Sequence, residues 1–316
     1  MKHFTSINDI TNLPAWLEEA KAIKNNPYAY KAFGQNKTLG LLFFNPSLRT
    51  RLSMQKAAQN LGMHVMVMNL QSDGWSIELE DGTIMNQGSQ EHIKEAAAVI
   101  SQYCDIIGIR TFPSLKNREE DYQEKVLQKF IAYATVPIVS LESATLHPLQ
   151  SFADALTIEE HKNKQKPKVV LSWAPHPKAL PQAVANSFVQ WMKHASVDLV
   201  ITNPIGFDLA PEFTSGVTIE HDQEEALKDA DFVYAKNWSS YDNYGQIGAR
   251  KEDWIIDNEK MKLTRNAKFM HCLPVRRNVV VSDAVIDAEN SLVIAQANNR
   301  TYAAQTVLLN LLKDEG

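Results

Sequence analysis

Short apolar runs alternate along the chain with longer segments in which apolar residues recur at helical spacing. That alternation is the pattern of βαβ units built around a parallel sheet. In the first half the expected strands are "TLGLLFF", "HVMVMNL", "DIIGIR" and "VPIVSL". The helices between them are "LRTRLSMQKAAQNLG", "SQEHIKEAAAVISQYC" and "REEDYQEKVLQKFIAYA". A second series follows "SFADALTIEEHKNKQKP". It has strands "KVVLSW", "VDLVIT", "DFVYA", "KFMHCLP" and "LVIAQ", with "PQAVANSFVQWMKHAS" and "DQEEALKDA" as helices. The tail "NRTYAAQTVLLNLLKDEG" reads as an amphipathic terminal helix. The expectation is an α/β fold of two doubly wound parallel-sheet domains, 1–150 and 151–316, with the C-terminal helix of the second packing back. The polar, lysine-rich "EEHKNKQKPK" marks the junction.

Composition narrows the partners. A chain of 316 residues that is 44% hydrophobic can bury two cores. With 37 acidic against 32 basic residues and a net charge of -5, it offers no field for nucleic acid or an anionic membrane, so small molecules are the expected partners. The two cysteines, Cys104 and Cys272, lack CxxC or Cys/His ligand spacing, so neither a disulfide framework nor a metal is expected. The N-terminus "MKHFTSINDITNLPAWLEEA" has no apolar h-region, and no run approaches the roughly 18 apolar residues of a span. A reducing cytoplasm fits these features.

The segment "NPSLRTRLSMQKAAQNLG", directly after "TLGLLFF", packs two arginines and two hydroxyls where a buried strand gives way to a helix. A helix start leaves its first N–H groups unpaired and presents the positive end of the dipole, which suits an anion. Ser47 can cap, Thr50 can donate a hydroxyl hydrogen bond, and Arg49 and Arg51 carry guanidinium forks suited to phosphate or carboxylate. Taken alone, the segment reads equally well as a capped helix with solvated arginines. It has no GxGxxG or GxxxxGK[ST] pattern, so a nucleotide is not implied.

Three further clusters fall at strand ends: "IGIRT" at 107–111, "HPLQ" at 147–150 and "HCLP" at 271–274. In open α/β sheets, ligands bind where strands end in their carboxyl direction, so such clusters can converge on one crevice. In this order the four motifs resemble those of the aspartate/ornithine carbamoyltransferase family, over nearly the whole chain. The resemblance implies transfer of a carbamoyl group from carbamoyl phosphate to an amine, with no cofactor. Ser47, Leu48 through its backbone N–H, Arg49, Thr50 and Arg300 would bind carbamoyl phosphate, with Arg110 bridging phosphate and carbonyl oxygen. His147 and Gln150 would address the carbamoyl group, and Cys272 and Leu273 its far end or the amine. A turn histidine and a packed cysteine are the plainer readings of His147 and Cys272.

The second half departs from ordinary ornithine carbamoyltransferases, which carry a segment ending in SMG that grips a free α-amine. Here the equivalent stretch is "YAKNWSSYDNYG", and Lys236 would repel an ammonium. An acylated α-amine removes that conflict, and the chain resembles the N-acylornithine branch, acetyl or succinyl. Lys236, His176, Arg277 and Glu142 would then meet the acceptor, although Lys236 and His176 also read as surface residues. Trp75, in the loop "LQSDGWSIELEDGTIMNQGSQEHIKE", would reach a neighbouring subunit's carbamoyl phosphate, which implies a homotrimer with shared sites. By resemblance Glu91 favours acetyl, while the chain's shortness and "WAPHPKALP" look closer to the succinyl group; Glu91 also reads as an acid favourable to a helix start. Two alternatives stay open, an ordinary ornithine carbamoyltransferase and a non-catalytic anion-binding regulator.

Overall fold

The computed structural model describes residues 1–247 and 251–314. Its contacts divide the chain into two compact units. One comprises Met1–Ser114, Glu119–Leu149 and the chain from Arg300; the other comprises Leu115–Arg118 and Gln150–Asn299.

The first unit carries strands β1 (Thr38–Phe43), β2 (His64–Asn69), β3 (Ile77–Glu78), β4 (Glu91–His92), β5 (Ile106–Arg110) and β6 (Ile138–Glu142). Four of them form a parallel sheet in the order β2-β1-β5-β6, and β3 and β4 pair separately. The inner strands are apolar because both faces are covered; Leu42, Ile107, Ile109 and Ile138 pack with Leu127 and Phe130 of the helix Lys125–Tyr133. Each such fully buried side chain contributes about 1.5–3 kcal/mol. β2 is an edge strand and leaves Met66 and Met68 exposed. Gly40 is required in β1, since a Cβ there would stand 2.5 Å from the sulfur of Cys104.

Two expected helices differ. The segment 118–134 breaks into Arg118–Tyr122 and Lys125–Tyr133 at Glu124, which takes a left-handed φ of 47°. The break turns the Glu124 carboxylate toward the loop before His147, where it accepts from the Ser143 hydroxyl and from the Thr145 N–H and hydroxyl at 2.9 and 2.6 Å. The helix expected from Ser89 starts at Ile93, because Glu91 and His92 pair with β3.

The second unit has strands β7 (Lys168–Trp173), β8 (Asp198–Thr202), β9 (Thr218–Glu220), β10 (Phe232–Lys236) and β11 (Lys268–Met270), all parallel in the order β11-β10-β7-β8-β9. Val170, Val233, Leu227 and Phe269 form part of its core. Phe188, on the helix Ala183–His194, packs at a tilt of 42° against Tyr234 with ring centroids 4.6 Å apart. Both sheets confirm the α/β reading.

The run "LVIAQ" is not a strand. Leu292 donates once to the Phe269 carbonyl at 2.8 Å, and the chain then turns into the helix Val293–Asp314. β11 is only three residues long and offers a single bridge, so the Ala-, Gln- and Asn-rich sequence that follows takes the helical alternative. From Arg300 this helix counts with the first unit, whereas the sequence reading assigned it to the second domain. Gln305 accepts from Asn60 and donates to the Pro27 carbonyl, and Asn310 donates to Glu19.

Candidate functional site

In the first unit, β1 ends at Phe43 and the helix Arg49–Asn60 begins six residues later. Leu48 occupies the N-cap position and no side chain caps the helix, so Ser47 does not serve as the cap. The first N–H groups thus face outward from a helix start. Thr50 is buried, and its hydroxyl oxygen accepts from Arg110 Nη1 at 3.3 Å and from Arg300 Nη2 at 2.7 Å. Two guanidinium groups from distant parts of the sequence are therefore fixed beside that helix start.

Arg110 is further held at the end of β5. Its guanidinium lies over the Phe112 ring, 4.4 Å from the centroid, and its Nη1 donates to the Glu142 carboxylate across the register shift between β5 and β6. His147 Nε2 lies 3.3 Å from the same Glu142 oxygen, and all three side chains are at least nine-tenths buried. Asn45 accepts from the Phe112 N–H at 2.7 Å, tying the end of β1 to that of β5. Arg51 points elsewhere: it donates to Asn69 at 3.5 Å and lines a cavity of about 590 Å³ with Ser47, Leu48 and Gln71. The first unit brings Ser47, Leu48, Arg49, Thr50, Arg110, Glu142, His147 and Arg300 into one body.

Trp75 is 54% exposed, and its indole N–H donates to Glu91 at 2.7 Å. Ion pairs anchor the same loop: Asp81 with Lys94 and Lys129, both at 2.8 Å, and Glu80 with Lys125 at 2.7 Å. The two lysines hold the Asp81 carboxyl down to about 2.

The second unit gathers cations. His176, beyond the end of β7, has its Nδ1 2.8 Å from the Lys178 carbonyl, and its Nε2 accepts from Arg276 Nε at 3.2 Å. The Lys178 backbone N–H also points at Nδ1, at 3.1 Å, so the ring is held from both sides by its neighbours. Burial first, and the charges of Lys236 and Arg276 after it, lower the His176 pKa and favour the neutral ring. Lys236 ends β10, and the segment after it is locked to the strand end by Asn237 Nδ2 donating to the Ala174 carbonyl at 2.7 Å. Arg277 is engaged differently, donating to Asp283 at 2.8 Å and to both oxygens of Asp287 at 2.7 and 2.6 Å. Cys272 and Leu273 follow β11, with Leu273 at a left-handed φ of 54°. Gln150 lies in the first turn of the helix Pro148–His161 and is fully buried.

Residues 2–160 match the family described as aspartate/ornithine carbamoyltransferase, carbamoyl-P binding domain, and residues 181–311 its Asp/Orn binding domain. The chain belongs to the aspartate/ornithine carbamoyltransferase family. It is 51% identical over 99% of both chains to an N-succinylornithine carbamoyltransferase of Bacteroides thetaiotaomicron. It is 36% identical to an N-acetylornithine carbamoyltransferase of Xanthomonas axonopodis pv. citri, over all of this chain and 98% of the relative. A crystal structure of acetylornithine transcarbamylase complexed with acetylcitrulline superposes with a TM-score of 0.92 at 36% identity, covering 98% of this chain and 99% of the other. Within the carbamoyltransferase family the chain stands in the N-acylornithine branch.

Two residues of this carbamoyltransferase were passed over in the sequence. Arg276, not Arg277, lies against His176. The doublet "VRR" signals an arginine at that place without saying which one meets His176. Asp154, one helical turn after Gln150 in "HPLQSFAD", is also fully buried. An acid one turn after Gln150, flanked by Phe152, Ala153, Ala155 and Leu156, was the available signal.

Proposed function

We propose that the protein transfers the carbamoyl group of carbamoyl phosphate to the δ-amine of an N-acylated L-ornithine, giving the N-acyl-L-citrulline and phosphate in arginine biosynthesis. One observation carries the donor side: the Thr50 hydroxyl, at a helix start, accepts from both Arg110 and Arg300. Two fixed guanidiniums and a row of N–H groups suit a phosphate dianion. A regulator that only bound phosphate would have no use for Arg110 and His147 converging on one carboxylate.

In this reading, Ser47, the Leu48 N–H, Arg49, Thr50 and Arg300 hold the phosphate, and Trp75 from a neighbouring subunit covers it. Arg110 and His147 polarise the carbamoyl C=O, oriented by Glu142. Gln150, Cys272 and the Leu273 carbonyl hold the carbamoyl and amine groups. The amine, with an ordinary pKa near 10.4, loses a proton and attacks the carbamoyl carbon. Negative charge on the resulting tetrahedral oxygen is stabilised by Arg110. The C–O bond to phosphate then breaks, and departing phosphate takes the last proton. No enzyme-bound acyl group forms, and activity rises toward alkaline pH. The enzyme acts in the cytoplasm as a homotrimer without a cofactor or metal.

On the acceptor side, Lys236 and Arg276 are cations suited to carboxylates, with the neutral His176 ring held against Arg276. N-succinylornithine carries two carboxylates and N-acetylornithine one, so the cations favour succinyl. Glu91 supports the acetyl reading, because a carboxylate near the acyl pocket would repel a succinate. A colorimetric ureido assay with N-succinyl-, N-acetyl- and free L-ornithine tests the proposal. Product is expected from an acylated ornithine, with free ornithine poor. Free ornithine as the preferred acceptor, or no ureido product from any of the three, overturns it.

A further inference from the structure

The helix that carries Gln150 holds, one turn on, a buried carboxylate to which the mechanism above gives no role. Asp154 Oδ1 accepts from Gln150 Nε2 at 2.8 Å and from Gln296 Nε2 at 2.7 Å. Gln296 Oε1 accepts from the backbone N–H of His271 at 2.9 Å, and His271 Nδ1 accepts from the Leu273 N–H at 2.8 Å. Tyr234 is buried beside Asp154 and Cys272; burial, with these two neighbours, pushes its ionisation well above the usual tyrosine range. One carboxylate thus touches Gln150 directly and reaches 271–273 through Gln296.

The network also fixes which way each amide faces. A backbone N–H can only donate, so Gln296 presents Oε1 to His271 and Nε2 to Asp154. A carboxylate oxygen accepts, so Gln150 turns its Nε2 to Asp154 as well, and the end directed away from Asp154 is the acceptor Oε1. A carbamoyl –NH2 group presents two N–H donors and is recognised by acceptors. With its amide reversed, Gln150 would bring donors to face donors.

We propose that Asp154 is a positioning residue for carbamoyl transfer: it holds Gln150 with its carbonyl oxygen toward the carbamoyl –NH2 group. The proposal rests on the carbamoyl-transfer reading. It is tested by steady-state kinetics on the full chain with Asp154→Asn, Gln150→Ala and the double variant, using the acylornithine that the wild type accepts. Asp154→Asn is expected to lower kcat by about 10- to 100-fold, the cost of a misplaced group at the reacting centre. KM for the acylornithine should move by less than about threefold, since the loss falls on the transition state. In the Gln150→Ala background the same change should cost less than about threefold more, because its route of action is already gone. Losses that multiply, or an unchanged kcat in Asp154→Asn, overturn the proposal.

If Asp154→Asn does not fold, Tyr234→Phe removes a single hydroxyl beside the same carboxylate. A smaller kcat loss that disappears in the Gln150→Ala background supports the positioning role, and an equal loss in both backgrounds overturns it. A wild type that makes no ureido product overturns carbamoyl transfer itself and is recognised before any variant is assayed. An active wild type whose variants behave multiplicatively removes the positioning role alone.

Discussion

On the reading proposed above, the two units solve different recognition problems with different materials. In the first, a helix start, a threonine hydroxyl and a buried carboxylate hold guanidiniums that are themselves almost entirely buried. In the second, Lys236 closes a strand while Arg276 sits on a connecting segment, and His176 and Arg276 make their contact at the surface. A phosphate dianion has one shape and charge, so a site for it can be built into the ends of the sheet and left unchanged. An acceptor varies in its acyl group, and long side chains on connections can be altered without disturbing a strand.

Breaking the first arrangement has the largest expected effect. Arg110→Ala removes the carbonyl-polarising group and should lower kcat/KM by about 10³-fold. It also leaves Glu142 buried without its cation, at a cost of about 3–5 kcal/mol in chemical denaturation. Arg110→Ala/Glu142→Ala should recover much of that stability and none of the activity; recovered activity would show that Arg110 serves only the fold. In the second unit, Arg276→Ala should raise KM for the acylornithine about tenfold, the usual loss with one charged hydrogen bond. Arg277→Ala, which opens an exposed ion pair, should leave KM within about twofold. The reverse ranking would return the acceptor site to Arg277.

A smaller effect separates the two acyl groups. Glu91→Pro removes a carboxylate and also the acceptor of the Trp75 indole, and the succinyl-to-acetyl ratio should rise about threefold or more if that charge faces the acyl pocket. Glu91→Gln keeps an acceptor without the charge, so a ratio that moves with Pro and not with Gln assigns the effect to Trp75. The smallest effect concerns the loop. The folded Asp81 pKa, about 2, lies below the usual 3.9, so its ion pairs contribute fully above about pH 4 and are lost as pH falls through about 2. Hydrogen exchange of residues 77–92, corrected for intrinsic rates, should be flat from pH 7 to about pH 4 and faster throughout in Asp81→Asn.

The helix start at 47–51 was legible in the sequence because its parts are local, whereas its partners Arg110 and Arg300 lie 60 and 250 residues from Thr50. A strand, a turn and a helix start can be read from one short segment, and "SLRTR", "IGIRT" and "HPLQ" each announce a strand end. Arg276 was not legible, since adjacent arginines on an irregular segment share every local property and differ only in what folds against them. Asp154 was hidden for a related reason: its importance lies in Gln296 and Tyr234, which are remote in sequence. "LVIAQ" was misread because β-branched residues favour strands, but strand formation needs a partner edge, and β11 provides only one bridge.

The bond from Arg300 to Thr50 spans 250 residues. Ribosomes add about 5–20 residues per second, so Thr50 emerges some tens of seconds before its second guanidinium partner exists. During that interval the N-terminal sheet can form while its anion cradle is still open. The cradle proposed for carbamoyl phosphate is therefore completed only late in translation.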